Sequence, residues 1–348
     1  MRIVVFGAGG FVGGSICEEL AELNQFEVLA CVRRWASAVR LARRGIAITQ
    51  CDLDDATGVV RAVAGAHVVV NAAMLPPGVE ADLCRQLYSA CAKVGVQKLI
   101  QFSSAAVYGN RRGWINEDHA PAPNSDYSRG KVRMEMALLA APASPTPQLF
   151  ILRPSIIYGP FADAWSVRYA QRIADGHWLS LGRAGSGTCN LIHVRDLVRF
   201  VILAANVEPV EKSHVLNLNG PDIISWNEYI ERFGDALNIT DRTTPNYAVF
   251  QTLALAAESI RLGGKWVKKQ HNDLIESISH STGTAYSMML RAKFLTTLYP
   301  TLNELHLLRR HAHYSAKRAT DLFGFRPAIA LDEGLRETAN WCKVHGIV

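Results

Sequence analysis

A short apolar run, a glycine turn and the start of a helix, all within the first residues, constrain this chain more than any other feature. Ile3 to Phe6 reads as a strand, and Gly7-Ala-Gly-Gly10-Phe11-Val12-Gly13 follows it and opens a helix. Glycine at these places lets the backbone turn tightly, approach a pyrophosphate and pack helix on strand, while the helix amino end attracts negative charge. A glycine-rich turn alone is common. At the head of a series of strands it points to a dinucleotide cradle built from Gly7, Gly10, Phe11, Val12 and Gly13.

The series is there. Ile3 to Phe6, Glu27 to Val32, Ile46 to Gln50, His67 to Asn71, Leu99 to Phe102 and Leu149 to Leu152 read as six strands. Phe11 to Leu23, Trp35 to Arg44, Asp55 to Ala64, Glu80 to Val94 and Tyr127 to Ala140 read as the helices between them. This alternation predicts an α/β fold, a Rossmann-type doubly wound parallel sheet, with a smaller and mostly helical carboxyl-terminal lobe. After residue 153 loops with Gly and Pro interrupt the rhythm. Leu191 to Ala204 reads as strand then helix, Val215 to Asn219 as a further strand, and Ser225 with Glu228 as a capping box for a helix through Leu237. Thr240 to Leu308 reads as helical with a break at Gly263-Gly264, and Asp332 as the cap of a final helix through Lys343. The expected division is a cofactor-binding Rossmann domain over 1–158 plus 191–219, and a substrate-binding lobe over 159–190 and 220–348.

Charge and cysteine usage exclude several classes. The net charge of +6 comes from scattered pairs such as Arg33-Arg34, Arg43-Arg44, Arg111-Arg112, Lys268-Lys269 and Arg309-Arg310, not from one basic element, so no nucleic-acid partner is expected. Seven cysteines without a C-x-x-C pair imply neither a zinc site nor a full disulfide framework, and fit a reducing cytoplasm. No metal site is expected. Gly7, Gly9 and Gly10 cut the first apolar run too early for a signal peptide, and Arg61, His67 and Asn71 interrupt Val59 to Leu75, so no membrane segment is expected.

The strand ends carry the candidate site. Twenty residues beyond Gly13, where an acidic side chain would hold the ribose hydroxyls of NAD, stand Arg33 and Arg34. A guanidinium pairs with a 2′-phosphate, so NADP is the expected cofactor, with NAD as the alternative. Asp52 and Leu53, after the third strand, are placed to reach the adenine edge. Asn71, Ala72 and Ala73, after the fourth, lie beside the cofactor's path. Tyr127 and Lys131 are four apart, hence on one helical face, with Asn124, Ser125 and Asp126 offering the cap. A free tyrosine has a pKa of ~10, and lowering it by ~3 units takes about 4 kcal/mol, which a nearby ammonium and the helix amino end help to supply. Ser103-Ser104 follows the fifth strand on the same edge, where a hydroxyl can hold a substrate oxygen beside Tyr127. Gly130, costing a helix about 1 kcal/mol relative to alanine, hints at a close backbone approach.

With Ser103-Ser-Ala-Ala-Val-Tyr-Gly109, Tyr127 to Lys131, Arg153-Pro-Ser-Ile-Ile-Tyr-Gly-Pro160, His193-Val-Arg-Asp196 and Leu322-Phe-Gly-Phe-Arg-Pro327 added to the glycine turn, the chain resembles the extended short-chain dehydrogenases/reductases, the NAD-dependent epimerase/dehydratase group, over nearly its whole length. The resemblance implies that Ser104 is catalytic, that Tyr127 exchanges the proton, and that Lys131 lowers the pKa of Tyr127 and holds the nicotinamide ribose. It also implies that Pro154 to Ile156 line the nicotinamide side, and that the chain forms a homodimer through the helices beginning near Glu80 and Tyr127. A dehydratase would carry an acid/base carboxylate where Ser104-Ala105-Ala106 stands. The readings that remain are a ketone/aldehyde reductase or secondary-alcohol dehydrogenase, placed first, then a nucleotide-sugar 4-epimerase, then a non-catalytic NADP-binding sensor. Cys189 and Asn190 stand where nucleotide-sugar members offer an arginine to the diphosphate, with Arg168, Arg183, Arg309 and Arg310 as substitutes, so a small carbonyl or alcohol without a diphosphate is the expected substrate.

Overall fold

The fold is described from a computed structural model, which covers residues 1–141, 147–175, 181–208, 213–239, 247–270, 287 and 299–348. In chain order come β1 (Arg2–Phe6), α1 (Phe11–Glu22), β2 (Glu27–Val32), α2 (Val39–Ala42), β3 (Ala47–Gln50), α3 (Ala56–Val63), β4 (Val68–Asn71), α4 (Glu80–Val94) and β5 (Lys98–Phe102). After them come β6 (Gly113–Ile115), α5 (Asp126–Leu139), β7 (Gln148–Pro154), β8 (Ile156–Tyr158), α6 (Arg168–Ala174), β9 (Thr188–Cys189), β10 (Leu191–His193), α7 (Val194–Asn206), β11 (Ser213–Leu218), β12 (Ile224–Ser225), α8 (Trp226–Leu237) and α9 (Tyr247–Gln270).

Seven of these strands form one all-parallel sheet in the order β11-β7-β5-β4-β1-β2-β3. The order reverses between β1 and β4, and such a switch point opens a crevice at the carboxyl ends of the strands. β1 shows why the strands read as continuous apolar runs. Ile3 and Val5 enter one core with Ile16, Leu20 and Phe200, while Val4 and Phe6 enter the opposite core with Val59, Leu87 and Met134. Local chemistry sets the helix ends. Asp55 accepts the Gly58 N–H to start α3, Glu80 and Asp82 complement the amino end of α4, and Gly95 closes α4 at φ 78°.

The chain divides into two compact units. The first comprises Met1–Ala162, Asn190–Asp222 and Ala312–Leu331. The last of these segments falls within the expected smaller lobe but belongs to the sheet unit, because β13 (Ala312–Tyr314) pairs with β6 and Phe325 enters the core beside α7. The second unit comprises Asp163–Cys189, Ile223–His311 and Asp332–Val348. Its centre is aromatic, with Trp226, Tyr169, Tyr229 and Phe233 fully buried, and it holds a buried Arg172–Glu304 ion pair at 2.8 Å.

Three local expectations are revised. Trp35–Ser37 is a 3-10 turn and only Val39–Ala42 is α-helical, because Ser37 turns its hydroxyl onto the Arg34 carbonyl. Helix α9 runs straight through Gly263 and Gly264, since two glycines weaken a helix without forbidding it. The final helix begins at Leu331 and takes Asp332 into its first turn. Leu255, one of the apolar residues of the 240–308 stretch, is 48% exposed, whereas Leu290, Phe294 and the side chains of Phe250, Leu253 and Trp266 lie outside the described residues. Among the described residues no helix is long and apolar enough to cross a membrane, and no cluster of His, Cys, Asp and Glu could hold a metal ion. All seven cysteines are buried free thiols.

Candidate active site

Every sequence-predicted site residue lies in the first unit, and most stand at the carboxyl edge of its sheet. Gly7 has φ 76°, and a Cβ there would stand 2.6 Å from the Ala73 nitrogen. A Cβ on Gly13 would stand 2.4 Å from the Gly7 carbonyl oxygen. The turn is thus closed against the β4 loop and admits only glycine at both places. Phe11 and Val12 open α1, whose free amide groups give the amino end its partial positive charge. Asn71 is wholly buried; it donates to Gln101 Oε1 at 2.9 Å and accepts the Ala73 N–H at 3.1 Å. It therefore shapes the Ala72-Ala73 turn that seats Gly7.

At the far end of the cradle Arg33 and Arg34 are exposed, and neither guanidinium has a hydrogen bond or ion pair among the described residues. Asp52 is half-buried and does not cap α3, a role taken by Asp55. Leu53 packs into the core, and its carbonyl accepts from Gln86 Nε2 at 2.8 Å.

Ser125 caps α5 in a reciprocal box with Ser128, which sets Tyr127 and Lys131 in the first turns. Ser104 is the amino cap of the turn Ala105–Tyr108, and its Oγ accepts the Ala106 N–H at 3.1 Å. Tyr127 is 40% exposed as a residue, yet protein crowds its phenol. Desolvation holds its pKa above the ordinary tyrosine value, against which a hydrogen bond with Ser104 acts. The buried Lys131 donates from Nζ to the Phe102 carbonyl at 3.0 Å and stands 5.8 Å from the Tyr127 ring centre. The group that pulls Tyr127 down is therefore Ser104, with Lys131 turned to a backbone carbonyl. Burial lowers the pKa of Lys131, opposed by Cys84, Glu80 and Glu135. Ser103, the sequence neighbour of Ser104, enters a buried network instead, donating to Glu135, which Arg153 grips at 3.0 and 2.6 Å.

Pro154 is buried at the end of β7, and Ile156 is half-buried on β8. Between them, Ser155 is 9% exposed, and its hydroxyl has no hydrogen-bond partner among the described residues. The resemblance places it within the Pro154 to Ile156 stretch, but gives its hydroxyl no role of its own. At the stretch where the sequence lacks an arginine for a diphosphate, both side chains are buried. Cys189 is fully buried, and Asn190 donates to the Ala312 carbonyl at 2.8 Å while accepting the Tyr314 N–H, which ties β13 in place. Of the substitute arginines, Arg168 is held by Asp163 at 2.6 Å.

A family model described as the NAD dependent epimerase/dehydratase family matches residues 3–218. The chain is 24% identical to 3beta-hydroxysteroid-dehydrogenase/decarboxylase isoform 1 of Arabidopsis thaliana, over 96% of this chain and 78% of that protein. It is 25% identical to UDP-glucose 4-epimerase of Vibrio cholerae, over 68% of this chain and 76% of that protein. Its fold superposes on the UDP-glucuronic acid 4-epimerase from Bacillus cereus, solved in complex with NAD, with a TM-score of 0.74, 18% identity and 99% coverage of both chains. With a glycine cradle at a parallel-sheet switch point and a match across more than half its length, the chain belongs to the NAD-dependent epimerase/dehydratase family.

Proposed function

We propose that this chain is an NAD(P)-dependent oxidoreductive enzyme that reacts at a secondary-alcohol carbon through Ser104, Tyr127 and Lys131, and that its net reaction is epimerisation, as in the sugar-nucleotide 4-epimerases it resembles. The observation that carries the reading is the placement of Ser104 beside Tyr127, where its hydroxyl works to lower the tyrosine's pKa, at the sheet edge that also bears the Gly7 turn. The dinucleotide, when bound, supplies the hydride acceptor. The protein's own groups do the rest. Ser104, whose Oγ already accepts an amide N–H, keeps its proton to donate to an oxygen. Tyr127 takes up or returns the proton of the reacting hydroxyl, and its raised pKa keeps it an acid until an added positive charge favours the phenolate. Gly7, Gly10, Phe11, Val12 and Gly13 hold the pyrophosphate; Ala72, Ala73, Pro154 and Ile156 border the crevice; Ser155 offers its free hydroxyl to the nicotinamide end.

Tyr127→Phe tests the assignment: turnover should fall by roughly 100-fold or more, the scale of a lost general acid, with dinucleotide affinity unchanged. A near-normal rate in that variant would remove Tyr127 from the mechanism. A second reading, net oxidation or reduction of a substrate without a diphosphate, is favoured by the buried, uncharged Cys189 and Asn190. Cofactor absorbance during turnover separates the two, since an epimerase leaves it unchanged. Saturable binding of UDP or dTDP at low micromolar concentration supports the epimerase, and its absence supports the second reading. Unpaired Arg33 and Arg34 support a preference for NADP, although the Bacillus cereus relative was solved with NAD. Arg33→Asp should narrow or reverse that preference in calorimetry, and equal affinities in the unmodified protein would contradict it.

A further inference from the structure

The helical turn that carries Lys131 has a carboxylate built into its side. Gly130 precedes the lysine, and Glu80, the first residue of α4, fills the space a side chain would take. A Cβ on Gly130 would stand 1.9 Å from Glu80 Oε1 and 2.6 Å from its carboxyl carbon. Glu80 is 6% exposed, and its Oε2 accepts the Gly78 N–H at 2.7 Å. Its recorded cationic neighbour, Arg133, is half-exposed and 3.9 Å away, a weak partner. The carboxylate is therefore held in place by backbone on two sides.

Lys131 donates to one group directly, and several others act on its charge. On β5 there is the Phe102 carbonyl; on α4, Cys84 and Glu80; on α5 itself, Glu135 and the Tyr127 ring. Burial pushes the Cys84 thiol up to about 12, so it carries no charge near neutrality. Arg153 matches the charge of Glu135 with two hydrogen bonds. Glu80 is the remaining carboxylate, and among the described residues its ion pair is the long one, 3.9 Å, to the half-exposed Arg133. We propose that Glu80 is a positioning residue, seated in the notch left by Gly130, whose charge keeps the buried Lys131 protonated and in register with Tyr127. This rests on the catalytic reading of Lys131 given above. It also assigns Gly130 a task, namely to leave room for the carboxylate.

Titration of Lys131 by NMR of the ¹³C-lysine-labelled protein, without cofactor or substrate, reads the charge directly. Glu80→Gln keeps the shape and an acceptor for Gly78, and should lower the Lys131 pKa by about one unit or more, a tenfold change in its protonation equilibrium. An unchanged titration would overturn the proposal. Gly130→Ala, which displaces the carboxylate, should lower it likewise, but in a Glu80→Ala background the same change should leave it unmoved. A Gly130→Ala shift that persists without Glu80 would also overturn it. In turnover, the loss of kcat for Glu80→Gln should grow as pH rises, with KM little changed. Lys131→Met that retains turnover would sink the catalytic reading alone, because the titration measures the Glu80–Lys131 coupling without it.

Discussion

Gly7 shows how much a single residue decides. Alanine there would need the left-handed backbone at φ 76° and would drive a methyl group against the Ala73 amide. Gly7→Ala should therefore weaken dinucleotide binding by roughly fivefold to a hundredfold, on the scale of a strained backbone at about 1–3 kcal/mol. Calorimetry showing full affinity would mean that the turn does not hold the cofactor. His193 gives a prediction in pH. It is 1% exposed, and burial, with help from Arg195, lowers its pKa to about 4. Between the unfolded value of ~6.5 and that folded value the unfolded chain binds a proton the folded one does not, so stability falls as pH drops through this window and levels off below it, by about 3 kcal/mol in all. Urea melts from pH 7.5 to 4 should show the loss, and His193→Gln should flatten it; an equal slope in the variant would assign the loss to other groups. The glycine turn and the Tyr127/Lys131 pair were legible from spacing alone. Glu80, the unpartnered hydroxyl of Ser155 and the inward hydrogen bonds of Asn71 were not, because each depends on what lies across from it in a different element.

At the scale of elements, periodicity was enough to find the sheet. β2 and α4 begin and end where the residue pattern puts them, because Gly95 and the flanking charges terminate the helix locally. Where the signal was weaker the boundary moved: Trp35 to Arg44 read as one helix but holds a 3-10 turn, and Gly263-Gly264 read as a break but is continuous helix. The cap of α5 links an element to chemistry. Ser125→Ala removes the acceptor for the Ser128 N–H and should cost about 1 kcal/mol, lowering the melting temperature while fraying the turn that holds Tyr127. Ser125→Asp, which caps equally well, should restore the melting temperature. A Ser125→Ala protein with unchanged melting would show that α5 is held by packing alone.

For the whole molecule, the prediction is a homodimer through α4 and α5. Their inward residues Leu87, Ala90, Met134 and Leu138 are occupied by the core, but Met136 and Leu139 are 66% and 46% exposed on the other side of α5. Light scattering should give twice the chain mass at micromolar concentration, and Met136→Lys should halve it; a monomeric unmodified protein would contradict the dimer. The sequence by itself determined the α/β class, the glycine turn after β1 and the spacing of Tyr127 and Lys131 on one helix, because each rests on residues a few positions apart: strand alternation, helix spacing and glycine's freedom at positive φ. Only the tertiary structure decided that residues 312–331 complete the sheet unit, that Asn190 is a buried tie for β13, and that a carboxylate from α4 sits in the notch of Gly130. Those outcomes depend on which surfaces meet when distant segments pack, and nothing in the local sequence encodes the neighbour.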